Sequence, residues 1–232
     1  MQGMRQIFLD TETTGLSPES GDRIIEIGCV EMLNRRLSGR NLHFYVNPER
    51  RNHEEAVKVH GLTDEFLADK PLFASIADEL IEFVDGAEII IHNAGFDTKF
   101  LNAELSYLGK SPLSPERVID TLMMARQKHP GANNSLDGLC RRYGVDNSRR
   151  TRHGALLDSE LLAEVYIELI GGRQTALSLT AVQAKARIVT SGSATLTARP
   201  RPLASRLTEE EMAAHDRLVE ELGSDALWKI QN

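Results

Sequence analysis

The chain has 232 residues, of which 41% are hydrophobic and 26% charged, and its formal net charge is −7. Such a composition fits a globular protein with one substantial domain and room for an appendage. It argues against a protein that coats nucleic acid, which would be basic, but not against an enzyme that handles one strand end with metal ions supplying the positive charge. No apolar run approaches the ~18 residues of a membrane helix, and Met1–Gln6 lacks the basic-then-apolar layout of a secretory signal. Cys29 and Cys140 lie in apolar segments without metal-binding spacing. They read as buried thiols of a reducing compartment, with the cytoplasm as the expected location.

In chain order, Arg5–Asp10 is a short strand ending at two carboxylates, Asp10 and Glu12. Strand side chains alternate, so the pair points one way and repels unless a cation lies between, and a hard divalent ion is the usual solution. After the turn-rich Thr13–Pro18, Arg23–Leu33 reads as a long strand, Asn34–Gly39 as a polar turn and Leu42–Val46 as the returning arm of a hairpin. Pro71–Val84 is an amphipathic helix with Phe73, Ile76, Leu80 and Phe83 at helical spacing. Ala87–His92 is a buried-type strand, and Asn93–Asp97 joins it to a helix carrying Phe100, Leu101, Leu105 and Leu108. A brief strand, Val118–Asp120, precedes helices over Thr121–Gln127 and Leu136–Tyr143, the second announced by the capping pair Asn134-Ser135. A last core helix runs from about Ala155 to Ile170, with Leu157, Leu161, Leu162, Val165 and Leu169 as its stripe, and Gly171-Gly172 stops it.

The pattern then changes. From Arg173 to Arg206 there are six basic residues and no acidic one, whereas Thr208–Leu222 holds six acidic residues and one Arg. Ser191–Ser205, rich in Ser, Thr, Ala, Pro and Arg, reads as a flexible linker. Thr208-Glu209-Glu210-Glu211 opens a terminal helix as a capping box, and Trp228, the single tryptophan, follows near the end.

Asp97 and Asp158 are the natural companions of Asp10 and Glu12. Each alone is equally an ordinary acid in the first turn of a helix. Together they all fall at strand ends or adjoining helix starts, where α/β sheets collect their active sites. His153, five residues before Asp158, follows the basic stretch Arg149-Arg150-Thr151-Arg152. As a neutral imidazole it is suited to accept a proton from water near pH 7.

Three of these segments, Asp10-Thr11-Glu12-Thr13-Thr14-Gly15, Asn93-Ala94-Gly95-Phe96-Asp97 and His153-x4-Asp158, resemble in order and spacing the three motifs of the DEDDh 3′→5′ exonucleases. Ile24-Ile25-Glu26-Ile27-Gly28, Val59-His60-Gly61-Leu62-Thr63 and Asn133-Asn134-Ser135-Leu136-Asp137 are similar to the same family, especially to members that proofread for bacterial replicative polymerases. The likeness covers residues 4 to about 172. It implies an α/β, RNase H-like fold, with a mixed five-stranded sheet flanked by helices, followed by the linker and a short helical segment. It also implies that Asp10, Glu12, Asp97 and Asp158 ligate two Mg²⁺ or Mn²⁺ ions, with Asp10 between both, and that His153 is the general base. The substrate is then a single-stranded or frayed 3′ end of DNA and the product a nucleoside 5′-monophosphate. Glu55 and His60 match the family's contacts to the terminal nucleotide, with a helix-start acid and a loop histidine as the plain alternative.

The same resemblance divides the chain into an exonuclease domain (1–172), a linker (173–207) and a polymerase-docking segment (208–232). Leu227 and Trp228 look like the polymerase-binding end, and aromatic anchors are common interface hot spots. Gln174–Leu179 is similar to a short sliding-clamp peptide, with Gln174, Leu177 and Leu179 as its contacts. Alternatives from these residues are an RNA-trimming enzyme of the same family, a phosphatase with Asp10 as nucleophile, and an inactive exonuclease-like adaptor.

Overall fold

Ile7, Phe8 and Leu9 are all buried, which a strand achieves only when both faces of its sheet are covered. The structure, a computed structural model describing residues 4–171 and 208–221, places them in β1 (Arg5–Thr13), the middle strand of five. β1 runs antiparallel to β2 (Ile24–Leu33), which pairs antiparallel with β3 (Arg36–Tyr45). On its other side β1 is parallel to β4 (Glu88–Ile91), and β4 is parallel to β5 (Val118–Asp120). With the order β3-β2-β1-β4-β5, the sheet is the mixed five-stranded one that the family resemblance implies.

Seven helices accompany the sheet: α1 (Glu54–His60), α2 (Asp64–Leu67), α3 (Phe73–Val84), α4 (Ala94–Tyr107), α5 (Thr121–Lys128), α6 (Leu136–Tyr143) and α7 (Ala155–Leu169). The alternation of β1 sends Ile7 and Leu9 into one layer with Phe73, Ile76 and Leu80 of α3 and Phe100 and Leu101 of α4. Phe8 enters the opposite layer with Leu139 of α6 and Leu161, Leu162 and Val165 of α7. Each such fully buried side chain contributes about 1.5–3 kcal/mol of apolar transfer.

The larger differences from the sequence reading lie at β1, at β3 and in two short helices. β1 does not stop at Asp10, because its pairing with β2 continues to Thr13, with a register irregularity between Glu12 and Thr13. β3 begins at Arg36 rather than Leu42, because Asn34 and Arg35 both adopt positive φ (51° and 65°) and turn the chain in two residues. The short helices α1 and α2 carry too few apolar positions to show a period. His60 is accordingly the last residue of α1 and buried, not a loop histidine.

The chain divides at residue 178 into two units, the first holding β1–β5 and α1–α7. The second holds α8 (Glu209–Glu221), whose start is the anticipated capping box. Glu211 N–H donates to Thr208 Oγ1 at 3.2 Å, and Thr208 N–H to Glu211 Oε2 at 2.8 Å. The linker, Gln174, Leu177, Leu179, Leu227 and Trp228 lie outside the described residues. Among the described residues no helix is long and apolar enough to cross a membrane.

Candidate active site

The strand period sets the first two acids. Asp10 and Glu12 lie on the face of β1 that packs against α7, opposite Gly28 and Glu26 of β2. Gly28 is what allows the approach. A Cβ there would lie 2.3 Å from the carbonyl carbon of Ala155 and the nitrogen of Leu156, so only glycine lets the first turn of α7 rest on the sheet. That turn carries Asp158, whose N–H bonds to Gly154 O at 2.9 Å. Asp97 arrives from the first turn of α4, after Asn93, which takes left-handed φ and ψ of 67° and 51° to redirect the chain. Thr11, on the opposite face from its two neighbours, fixes Asp97: its N–H and Oγ1 both donate to Asp97 Oδ1, at 2.9 and 2.7 Å.

All five residues singled out in the sequence, Asp10, Glu12, Asp97, His153 and Asp158, line one cleft of about 1010 Å³. Glu12, His153 and Asp158 offer ligand atoms all within 4.8 Å of one another, while Asp10 and Asp97 stand more widely in the same cleft. Glu55 and His60 are elsewhere, lining a more apolar pocket of about 620 Å³ that shares Glu12 and Phe96 with the cleft. His60 Nδ1 accepts from Leu62 N–H at 3.0 Å, which puts its ring proton on Nε2. Glu55 is exposed and paired with Lys58 at 2.7 Å.

Crowding buried acids favours their protonated forms. Burial first, then Glu26, Asp158 and Asp97, push Glu12 up to about 8. Burial raises Asp97 to about 7 in spite of the bonds from Thr11. Asp10 is raised well above the usual carboxylate range by burial and by Asp97, Glu12 and Asp158. A set of hard oxygen donors in that state takes up either protons or cations, and its chemistry fits hard divalent ions.

The sequence reading missed the group that balances Asp158. Arg150, nearly buried, donates from Nε to Asp158 Oδ1 at 2.5 Å and from Nη2 to Oδ2 at 2.7 Å. It also donates from Nη1 to Asp137 at 2.9 Å and from Nη2 to His153 Nδ1 at 2.9 Å. In a run of arginines nothing marks one as buried, so only the fold identifies it. Burial, and then the Arg150 charge, hold His153 below the usual histidine value and favour the neutral ring, whose Nδ1 accepts from Arg150 and whose proton is therefore on Nε2.

The chain belongs to the exonuclease family, whose model matches residues 7–166, and is a 3′–5′ exonuclease. It is 48% identical over 94% of its length to the DNA polymerase III subunit epsilon of Rickettsia conorii, covering 96% of that protein. The Escherichia coli K12 protein of the same name is 47% identical, with 97% of each chain covered. Among solved structures, exonuclease X in complex with 5′ overhanging duplex DNA superposes with a TM-score of 0.56 at 27% identity, covering 72% of this chain and 90% of that one. The RNase H-like sheet with its flanking helices is the fold of these neighbours.

Proposed function

We propose that this chain is the proofreading subunit of a bacterial DNA polymerase III, working in the cytoplasm and removing mispaired 3′-terminal nucleotides as 5′-monophosphates. The observation that carries the reading is the meeting of Asp10, Glu12, Asp97, Asp158 and His153 in one cleft. Identity of 47–48% over nearly the whole length of the epsilon subunits supports it.

The four carboxylates would hold two divalent ions, Mg²⁺ or Mn²⁺. When bound, such a pair supplies charge stabilisation to the attacking and leaving oxygens of a phosphodiester. The chain's own residues do the rest. His153 receives the proton of the attacking water on Nδ1 once Arg150 Nη2 releases that nitrogen, and its exposed ring gives the proton a way out. Arg150 and Thr11 hold Asp158 and Asp97 in place. The adjoining apolar pocket receives the terminal nucleoside, with Glu55 and His60 as its polar contacts. Frayed ends lose stacking and pairing, so a mispaired terminus reaches this pocket at lower cost than a matched one.

Residues 1–172 form the catalytic domain in this reading, 173–207 a tether and 208–232 the segment that docks on the polymerase alpha subunit through Leu227 and Trp228. Gln174, Leu177 and Leu179 supply a contact to the sliding clamp. A flexible tether raises the local concentration of the exonuclease to roughly millimolar.

The test is release of deoxynucleoside 5′-monophosphate from a 3′-labelled strand with Mg²⁺ present. EDTA, Asp10→Ala and His153→Ala should each abolish at least 99% of the release, and full activity in EDTA would refute the mechanism. For docking, Trp228→Ala should no longer co-purify with the polymerase while still hydrolysing DNA.

A further inference from the structure

The cleft that holds the carboxylates is larger than one scissile phosphate requires. At about 1010 Å³ it is at the upper end of ordinary ligand pockets, and its lining includes, besides the carboxylates, a wall made by α5 and the loop before α6. Leu122 and Arg126, four residues apart and so on one face of α5, line it together with Asn133, Asn134 and Ser135.

Two arginines line this cleft, and their situations are opposite. Arg150 is nearly buried and committed to Asp158, Asp137 and His153. Arg126 is exposed and makes no hydrogen bond or ion pair among the described residues. No acid of the cleft is close enough to claim it: Asp137 is taken by Arg150 and Asn147, and Asp97 by Thr11. An arginine without a protein counter-charge in a cleft lined by five carboxylates is suited to an anionic ligand, and a nucleic-acid strand carries a negative charge on every linkage.

The shared lining of the two pockets gives the direction. Both are lined by Glu12 and Phe96, but Leu122 and Arg126 of α5 line only the cleft that holds the carboxylates, and Glu55 and His60 only the apolar pocket. A strand whose terminal nucleoside sits in the apolar pocket, with its scissile linkage at the acids, continues its 5′ portion along the α5 wall. We propose that Arg126 binds the phosphate of an upstream linkage, 5′ to the scissile one, and that the α5 wall is the subsite for the penultimate nucleotides. This rests on the reading of the apolar pocket as the site of the terminal nucleoside.

Two substrates test it, with the full-length chain and Mg²⁺. One is a single-stranded deoxyoligonucleotide, and the other an aryl ester of thymidine 5′-monophosphate, which has a scissile phosphate and no upstream linkage. Arg126→Ala should raise KM for the oligonucleotide threefold to tenfold more than for the ester, with little loss in kcat. The salt dependence of oligonucleotide KM should become shallower by about 0.7 in log–log slope, the value for one phosphate contact on a single strand. Arg126→Lys, which keeps the charge, should recover most of the effect, and Arg126→Glu should exceed it. Equal changes on both substrates, or an unchanged salt slope, would overturn the assignment. If the wild-type protein cleaves neither substrate, the exonuclease reading itself has failed, a result distinct from a wild type that cleaves both and an Arg126→Ala that discriminates between neither.

Discussion

The hydroxyl of Ser159 donates to the carbonyl of Gly28 at 2.9 Å, tying α7 to the strand beside the one that carries Asp10 and Glu12. Both residues are buried against the sheet, and the bond lies one residue beyond Asp158. Helix α7 therefore delivers its carboxylate by resting directly on a glycine backbone, not through an intervening layer of side chains.

Gly28→Ala should accordingly be far more harmful than its single methyl suggests. The new Cβ would meet backbone atoms of Ala155 and Leu156, which cannot rotate away. We expect a loss of about 2–3 kcal/mol in urea denaturation and a fall of at least tenfold in nucleotide release, as α7 moves off the sheet. Ser159→Ala, which removes only the hydroxyl, should cost about 1 kcal/mol.

Arg150→Ala leaves the carboxylate of Asp158 buried without its partner. In EDTA the loss of stability should be about 3 kcal/mol, the scale found when one member of a buried pair is removed. Arg150→Lys should restore less than half of it, since an ammonium cannot engage both carboxylate oxygens as the guanidinium does. Denaturation curves of the three proteins without metal measure this directly.

Stability of the metal-free protein should fall as pH rises from 5 to 8. Glu12 at about 8 and Asp97 at about 7 bind protons more tightly in the folded chain than in the unfolded one, and Asp10 is raised in the same direction. Their contribution is fully present below their unfolded values, near pH 4, and is lost as pH passes through 7 and 8. His60, His92 and His153, held below the usual histidine value chiefly by burial, act in the opposite sense at the acid end of this window, and Asp22 and Glu31, held low by Ser17 and Arg50 and by Ser38 and Arg5 against the effect of burial, do so at still lower pH. Melting temperature in EDTA should thus drop by several degrees across this window, and Mg²⁺ at pH 8 should reverse the drop. A flat profile, or one that Glu12→Gln leaves as steep as before, would contradict the raised values.

Thr11→Val keeps the shape of the side chain and removes one of its two bonds to Asp97. Roughly 1 kcal/mol of stability should go, with about a tenfold loss of exonuclease rate as Asp97 loses its fixed orientation. A rate unchanged from wild type would show that the Thr11 N–H alone suffices.

The acids were legible in the sequence because their signal is local. A period of two puts Asp10 and Glu12 on one face whatever surrounds them, while Asp97 and Asp158, each an ordinary helix-start acid alone, were singled out by their grouping and by the motifs they complete. Strands bounded by turn residues and helices with an apolar stripe were legible for the same reason, whereas the five-stranded mixed sheet was implied by the family resemblance of the motifs. Helices α1 and α2 were not legible, because seven and four residues leave too little periodicity to read. Nor was the two-residue turn at Asn34-Arg35, since an arginine at positive φ gives no forewarning.

What the amino-acid order settled by itself was the inventory: which groups ionise, which alternate, and which strands and helices carry them. Only the packed structure decided which groups share a dielectric environment. Arg150 and Arg126 are the same residue type 24 positions apart, yet one is enclosed against Asp158 and the other open to the cleft. Burial and charge pairing are properties of distances between segments remote in sequence, and those distances exist only once α5, α6 and α7 have closed on the sheet.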